Sequence, residues 1–238
     1  MKMPGIGGGE PKDAPLIYFA HIGKVAGTSI RHAAIKSFGR RRCVSLYTPD
    51  HAARSRRATR IFFEDFERGG DNATSAQAVV AYMEEKRVRF FSTHHNQLFR
   101  DYLPPEQTFV MLREPVARLI SHYNFWQMRG LMPADESFEA FIRRPICRNE
   151  HFRSIRAERL DDMALIGIQE HFDASVAAFN KVFGTTLRPM KSNTTPKDKQ
   201  LIRRDALPSE VLQQIHDLNR KDMDLYERCR VAFEKTWL

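Results

Sequence analysis

The sequence predicts an α/β protein in which a central parallel sheet is flanked by helices. Apolar runs of about five residues, typical of buried parallel strands, alternate along the chain with longer segments that carry apolar residues at helical spacing. The chain of 238 residues is long enough to bury a full core, and its 42% hydrophobic and 28% charged residues are typical of a globular protein. No internal repeat or second-domain boundary is evident, so one domain is expected.

Strands and helices are predicted in alternating order. The predicted strands are residues 16–20, 43–47, 89–93 and 108–112. The predicted helices are residues 28–38, 75–86, 115–129, 135–143, 168–183 and 208–233. Ser75 is a candidate N-cap, and Pro115 suits the first helical position. Residues 60–66 mix aromatic and charged side chains and receive no assignment.

The N-terminal sequence and the cysteines limit the class of protein to which this chain can belong. Residues 1–15 are rich in glycine, proline and lysine without an apolar core, so we expect a disordered lead-in before a domain over residues 16–238. This segment is neither a signal peptide nor a membrane anchor. Three widely spaced cysteines without a Cys-x-x-Cys pair indicate neither a zinc site nor a disulfide framework, and a reducing compartment fits best.

Basic residues are concentrated after the first predicted helix. The chain has a formal net charge of +9. Residues 36–60 contain a single acid, Asp50, and eight basic residues: Lys36, Arg40, Arg41, Arg42, Arg54, Arg56, Arg57 and Arg60. Such a patch favours an anionic partner, such as an acidic polysaccharide, a nucleic acid or a membrane surface, and a solvated basic face without a ligand explains it equally well.

The stretch from Tyr18 to Arg31 predicts a strand, a glycine-containing turn and a helix start. In this geometry backbone N–H groups converge, and the helix N-terminus and Lys24 add positive charge, so an anion is the natural occupant. Gly27 allows close backbone approach, and Thr28 and Ser29 can donate hydroxyl hydrogen bonds. The turn is not a Walker A loop, because Lys24 precedes Gly27 by three positions. An ordinary strand-to-helix connection is the alternative.

A second anion-binding pattern follows the strand over residues 108–112. Arg113 lies at the sheet edge, and Ser121 lies about two turns into the next helix, so a guanidinium and a hydroxyl are available to a phosphate monoester. We expect Arg118 to pair with Glu114 one turn before it. An ordinary helix start with a salt bridge is the alternative.

Two histidines, His94 and His95, follow the strand over residues 89–93, at the edge where ligands gather in an open α/β sheet. A histidine there can accept a proton as a general base. Side chains alternate in an extended segment, so we expect the two rings to point to opposite sides and only one to serve. A surface pair and half of a metal site are the alternatives.

These motifs resemble those of the sulfotransferases that use 3′-phosphoadenosine 5′-phosphosulfate (PAPS), especially the membrane-anchored carbohydrate sulfotransferases and their bacterial relatives. The usual phosphosulfate loop of that family is Pro-Lys-Thr-Gly-Gly-Thr-Ser, in which Gly23, Val25 and Ala26 here replace the proline, the first threonine and the first glycine. Residues 113–121 resemble the family's 3′-phosphate motif, Arg-Asp/Glu-Pro-x-x-Arg-x-x-Ser. The resemblance implies a P-loop-NTPase-like fold and sulfuryl transfer from PAPS to an acceptor hydroxyl.

The resemblance also implies roles for particular residues. The phosphosulfate-binding residues would be Lys24, Val25, Ala26, Gly27, Thr28 and Ser29. Arg113 and Ser121 would hold the 3′-phosphate, and the loop with Lys191 and Asn193 resembles the segment that closes over the nucleotide. The general base would be His94 in preference to His95, because His94 follows Thr93 where the family often has Gly-His. No metal ion is expected.

The acceptor and the compartment are less constrained. The basic patch favours an acidic glycan over a small hydroxylated metabolite, a lipid-linked sugar or a protein tyrosine, and no nucleic-acid partner is expected. Animal members of the resembled family carry an N-terminal anchor and work in the Golgi. The absence of such an anchor here suggests a cytoplasmic enzyme or an excised catalytic domain.

Two other functions compete with this interpretation. A nucleotide kinase or NTPase would need a Walker lysine and an acidic magnesium ligand after a strand, whereas the strand ends here carry Thr-His-His and Arg-Glu-Pro. A polyanion-binding module built on the basic patch would leave Lys24, His94 and Arg113 without a role.

Overall fold

The computed structural model describes residues 14–67, 71–155, 157–190 and 201–238, which form an α/β structure around a parallel sheet. The strands are β1 (Ile17–Ala20), β2 (Cys43–Leu46), β3 (Phe90–Thr93), β4 (Thr108–Leu112) and β5 (Leu165–Ile168). All pairings are parallel, and the strand order is β2-β3-β1-β4-β5. The predicted fold class, an α/β protein with a central parallel sheet, is confirmed.

Helices connect and flank these strands. They are α1 (Gly27–Phe38), α2 (Arg56–Glu67), α3 (Asn72–Glu85), α4 (Asn96–Phe99), α5 (Pro115–Met128), α6 (Phe138–Ile142), α7 (Glu150–Ser154), α8 (Phe172–Phe183), α9 (Ser209–Leu218) and α10 (Arg220–Trp237). Short 3₁₀ segments lie at Arg40–Arg42, Pro105–Gln107, Pro145–Cys147, Ala157–Asp162, Gln169–His171 and Arg204–Ala206. The N-terminal residues 1–13 of the predicted lead-in lie outside the described residues.

Strand β1 lies at the centre of the sheet because it is apolar on both faces. Tyr18 pairs with Phe91 of β3 on one side and with Thr108 of β4 on the other. The ring of Phe19 stacks on that of Phe109, with centroids 5.2 Å apart. Burial of each such aromatic side chain contributes about 1.5–3 kcal/mol, so the sheet and the turn that follows β1 have a rigid base.

Strand β5 was not predicted, and the helix predicted over residues 168–183 begins only at Phe172. The strand is Leu-Ile-Gly-Ile, and its Gly167 is closely packed, because a Cβ there would lie 3.1 Å from both Met111 Sδ and Ser175 Cβ and these neighbours would have to move slightly. Ser175 on α8 donates its hydroxyl to the Ile168 carbonyl and accepts from the Ile168 N–H, both at 2.9 Å. The Ser175 hydroxyl therefore links α8 to the end of β5.

Several predicted helix bounds are also wrong. Ser75 is not the N-cap of α3, since the Asp71 carboxylate accepts from the Thr74 N–H at 2.7 Å and the helix begins at Asn72. The single helix predicted over residues 208–233 is divided at Asn219, whose side chain donates to the Ile215 carbonyl at 3.1 Å. The helix predicted over residues 135–143 is shorter, because Ser137 caps α6.

The unassigned residues 60–66 belong to α2, in which Ala58 and Phe62 are buried four residues apart. The basic residues of the 36–60 stretch do not form one surface. Arg40–Arg42 precede β2, at the edge of the sheet that carries the amino ends of the strands, whereas Arg56, Arg57 and Arg60 are exposed on α2.

Candidate functional site

A cleft of about 1760 Å³ opens at the carboxyl ends of the central strands, where open α/β sheets bind their ligands. Among the residues predicted for the site, those that line the cleft are Lys24, Ala26, Gly27, Thr28, Ser29, His94, Arg113 and Ser121. Val25 is fully buried and, like His95, does not line the cleft. Lys191 and Asn193 lie outside the described residues.

The turn between β1 and α1 has the backbone of an anion-binding nest. Lys24 and Ala26 adopt left-handed conformations, with φ of 69° and 65°, whereas the neighbouring Val25 and Gly27 do not. Alternating signs of φ turn successive N–H groups toward one point. The first N–H groups of α1 have no carbonyl partner within the helix, which adds partial positive charge at the same place.

Lys24 places an ammonium group in the cleft without an anionic partner. Its Nζ lies 3.9 Å from the centroid of the Phe125 ring on α5, and no carboxylate pairs with it in the described parts of the chain. Burial, together with the positive charges of Arg113 and Arg129, lowers the pKa of Lys24 to about 8. An anion in the cleft would relieve both effects.

Arg113, directly after β4, faces the same turn. Its Nη1 donates to the Lys24 carbonyl at 3.1 Å, and its buried Nε has no hydrogen-bond partner within the described segments. A buried donor without a partner costs about 1–3 kcal/mol, so this atom favours an acceptor supplied by a ligand. Ser121 lies on α5 along the same wall of the cleft.

The predicted pair between Glu114 and Arg118 is wrong. Glu114 precedes α5, and its carboxylate caps the helix by accepting from the N–H groups of Val116 and Ala117 at 3.2 and 2.7 Å. Arg118 is instead fully buried and pairs with Glu150 on α7. The N-cap position thus turns the Glu114 carboxylate toward the helix start and away from Arg118.

Glu170, whose role the sequence does not indicate, also supports the start of α5. One carboxylate oxygen accepts from the Glu114 N–H at 3.0 Å, and the other accepts from the Tyr226 hydroxyl at 2.9 Å. The residue therefore links α10 to the segment that carries Arg113.

His94 presents a defined nitrogen to the cleft. Its Nδ1 donates to the backbone carbonyl of His21 at 2.9 Å, and because a carbonyl only accepts, Nδ1 carries the proton of the neutral ring. Nε2 is then the acceptor. The surrounding protein lowers the pKa of His94 to about 4, mainly because it desolvates the imidazolium form. The ring is therefore neutral at pH 7, as a general base requires.

His95 points in another direction. Its ring stacks on that of Phe62 with centroids 5.7 Å apart, and its Nε2 is buried without a hydrogen-bond partner. Burial lowers the pKa of His95 as well. Only the first of the two adjacent histidines opens onto the cleft.

The structure adds residues that were not predicted. His21, directly after β1, bonds through Nδ1 to the Tyr47 hydroxyl at 3.0 Å, and its ring lies 4.2 Å from that of His94 between centroids. The ring of Tyr47 lies 4.5 Å from that of His51. All four residues line the cleft. The signal for His21 was its position, a polar residue at the end of a buried strand, which His94 and Arg113 share.

The cleft has more positive than negative side chains. The cations on its walls are Lys24, Arg31, Arg113, Arg129, Arg153, Arg203 and Arg204, and the carboxylates are Asp50, Glu150 and Asp205. The eight basic residues of the 36–60 stretch are all described, and none of them lines the cleft. The positive character of the site therefore comes from residues that the composition of that stretch did not indicate.

The described residues contain neither a metal-binding cluster nor a membrane-spanning helix. Within residues 14–67, 71–155, 157–190 and 201–238, no group of three or more histidine, cysteine or acidic side chains could hold a metal ion. No helix in these segments has both the length and the apolar character that crossing a membrane requires.

Comparison with known proteins identifies the family. The model of the sulfotransferase family matches residues 12–227, a span that includes the β1–α1 turn, both histidines and the segment from Arg113 to Ser121. No curated protein matches the chain. Because the family model covers most of the sequence, the chain belongs to the sulfotransferase family.

Proposed function

We propose that this sulfotransferase uses PAPS as its donor and transfers the sulfuryl group to a hydroxyl of an acidic carbohydrate. The observation that carries the proposal is that one cleft holds the Lys24 ammonium, which has no anionic partner among the described residues, and a neutral histidine, His94, with an available Nε2. A positive group for a leaving anion and a base for an attacking hydroxyl are the two requirements of this reaction.

The residues of the cleft fit such a donor. The nest at Lys24 and Ala26, with the first N–H groups of α1, would hold the 5′-phosphosulfate. Arg113, with its buried and unsatisfied Nε, and Ser121 would hold the 3′-phosphate. When bound, PAPS supplies the sulfuryl group and an anionic leaving group.

The side chains then divide the chemistry between them. His94 Nε2 takes the proton of the acceptor hydroxyl, while the Nδ1 bond to the His21 carbonyl keeps the ring in the correct tautomer. The Lys24 ammonium balances negative charge on the phosphate side of the cleft. Arg113 and Ser121 act at a distance from the transferred group, so their binding energy fixes the donor in place.

An acidic carbohydrate suits the charge of the cleft better than a neutral acceptor. Arg31 and Arg153 line the cleft in addition to the cations proposed for the donor, and they would attract carboxylate or sulfate groups of a glycan. Such attraction falls with ionic strength, so activity toward an acidic glycan should decline as salt is raised.

Calorimetric binding of the expected product, 3′-phosphoadenosine 5′-phosphate (PAP), tests the donor site. PAP should bind with and without magnesium, and Arg113→Ala should weaken binding at least 30-fold, because it removes a fork of donors to the phosphate. Arg153→Ala, which removes a cleft arginine outside the proposed donor site, is the matched control and should change PAP affinity less than threefold. Preferential binding of ATP with magnesium would replace this proposal with a kinase or NTPase.

Transfer itself is tested with labelled PAPS and a panel of chondroitin, hyaluronan and desulfated heparin. His94→Ala should lower the rate at least 100-fold with PAP affinity retained, the range typical for loss of a general base. His95→Ala should keep most of the activity, because its ring lies against Phe62 and does not line the cleft. Equal losses in the two variants would remove His94 from the proposed role.

A further inference from the structure

Gly27, the first residue of α1, is enclosed by a side chain of its own protein. A Cβ added to Gly27 would fall inside the His21 ring, against Nε2, Cδ2 and Cε1. The φ of Gly27 lies outside the left-handed region, so its backbone would accept an alanine. The glycine is therefore required at this position by the ring of His21.

The His21 ring is held firmly against the loop. Its face stacks on Phe19 with centroids 5.0 Å apart and an interplanar angle of 17°. Its Nδ1 bonds to the Tyr47 hydroxyl, which lies 3.3 Å from the Ser92 hydroxyl on β3. The side chain is 8% exposed, so it has little room to change rotamer. A fixed ring gives the loop a fixed surface to pack on.

The same residue also holds the histidine proposed as the base. The His21 carbonyl accepts from His94 Nδ1 at 2.9 Å and from the Asn96 side chain at 3.3 Å. Its N–H donates to the Thr93 carbonyl at 3.2 Å, which extends the pairing of β1 with β3 by one residue. The ring of His21 thus contacts the anion-binding turn, and its backbone fixes His94.

The His21 ring is not placed to act as the base. Nδ1 is occupied by Tyr47, and Nε2 lies against the Cα of Gly27. Burial and the neighbouring positive groups hold the pKa of His21 well below its usual value, so the ring is neutral. Its contribution is therefore to the position of other groups.

We propose that His21 is a positioning residue, whose ring seats the β1–α1 turn at Gly27 while its carbonyl fixes His94. This inference rests on the proposed function, because it concerns the relation between the anion-binding turn and the base. It predicts that positions 21 and 27 are strongly coupled, since a methyl group at 27 is excluded only while the imidazole is present.

A double-mutant cycle tests the coupling. Gly27→Ala should lower PAP affinity at least 30-fold and the rate at saturating PAPS at least 100-fold. In a His21→Ala background the methyl group has room, so the same change should cost less than threefold in each quantity. If Gly27→Ala alone does not fold, His21→Ala alone is the test: it should lower PAP affinity and the rate at saturating PAPS because the turn loses the ring on which it packs, and unchanged values would overturn the proposal. Equal costs in the two backgrounds would overturn the proposal.

Gly23 provides the matched control in the same turn. A Cβ there would lie 3.4 Å from Glu150 Oε1, an ordinary contact, and would not meet His21. Gly23→Ala should therefore cost the same with and without the imidazole. Coupling of Gly23 to His21 as large as that of Gly27 would mean that the cycle reports general loosening of the turn, and would overturn the proposal.

Two readouts separate positioning from simple packing. If the coupling is seen in the urea midpoint of unfolding but the rates at saturating PAPS are additive, the pair is structural only and the positioning role is wrong. If wild-type protein binds no PAP, the proposed function fails, and the positioning role fails with it. If wild-type protein binds PAP and transfers the sulfuryl group, but the effects of the substitutions at positions 21 and 27 are additive, the proposed function stands and this inference is wrong.

Discussion

Replacing Glu150 with glutamine should destabilise the protein, because it leaves a buried guanidinium without its counter-charge. The side chain of Arg118 is 0% exposed and that of Glu150 is 17% exposed. Apart from Glu150, the described residues give Arg118 one long hydrogen bond, from Nη2 to the Cys147 carbonyl at 3.4 Å, and no partner for its Nε. The charge cannot be neutralised by deprotonation, since arginine stays protonated in proteins.

The expected loss can be estimated from this geometry. Breaking a buried ion pair by removing one partner costs about 3–5 kcal/mol. Glutamine keeps one oxygen that can accept from Arg118, and water reaches part of position 150, so we expect the low end, about 3 kcal/mol. Glu136→Gln is the matched control, because its partner Arg144 is 33% exposed and also lies over the Trp126 ring. Its cost should be about 1 kcal/mol or less.

Urea unfolding followed by circular dichroism measures both losses, with equal m-values as the check that the unfolded states are alike. A second variant identifies the cause. Arg118→Met combined with Glu150→Gln removes the buried charge altogether and should recover most of the stability lost in Glu150→Gln alone. The reasoning is refuted if Glu150→Gln costs no more than Glu136→Gln, or if the double variant is less stable than the single one.

Three further predictions concern the cleft. Under the proposed function, kcat/KM for PAPS should rise with pH through about 4, as His94 loses its proton, and fall above about 8, as Lys24 loses its own. Lys24→Arg should remove the fall of kcat/KM at alkaline pH, the alkaline limb of the profile. An unchanged alkaline limb would mean that another group causes the fall. Phe125→Leu should move that limb to lower pH, because the ring face stabilises the ammonium, and a limb that stays in place would contradict this role. Ala26→Gly should raise the free energy of unfolding by about 0.5–1 kcal/mol in urea titrations, because a left-handed alanine is strained and glycine is not, and a loss of stability would show that its φ of 65° is not strained.

Much of the fold could be predicted because local patterns and topology agree. Four of the five strands are short apolar runs, and residues 17–20, 43–46, 90–93 and 108–112 are fully buried as a parallel sheet requires. Once the strands are known, their carboxyl ends must share one edge. This rule alone predicts that Lys24, His94 and Arg113 lie at the same edge of the sheet.

Strand β5 was missed because its sequence carries two conflicting signals. Residues 165–168 run directly into a helical pattern, so periodicity assigned the last of them to the helix. Gly167 lowers the strand signal further, yet it suits the close packing of β5 against β4 and α8, where a larger residue would displace its neighbours. Packing of this kind depends on residues far apart in sequence, which a local pattern does not contain.

The partner of Arg118 could not be read from the sequence for a similar reason. The i, i+4 rule points to Glu114, but it assumes that both residues lie within the helix. Glu114 lies one residue before it and also pairs with Arg204, 90 residues away. Glu150 is 32 residues from Arg118, and only the folded chain brings the two together.

His21 was missed although its position followed the same rule as the others. Within the stretch from Tyr18 to Arg31, the charge of Lys24 indicates an anion directly, whereas a single histidine at the end of a strand indicates no particular ligand. Nothing in the sequence indicates that the ring of His21 occupies the space of a missing side chain at Gly27. That relation is a matter of side-chain volume within the turn.

The strand order places an exposed segment of the cleft rim apart from the groups proposed for the donor. The groups proposed for the donor follow β1 and β4, whereas Tyr47 and His51 follow β2, the strand at the edge of the sheet. Residues 50–52 after β2 are exposed at the rim of the cleft and are not part of the buried core. Substitutions at residues 50–52 can therefore change the shape and charge of the cleft rim without altering the buried core or the groups proposed for the donor.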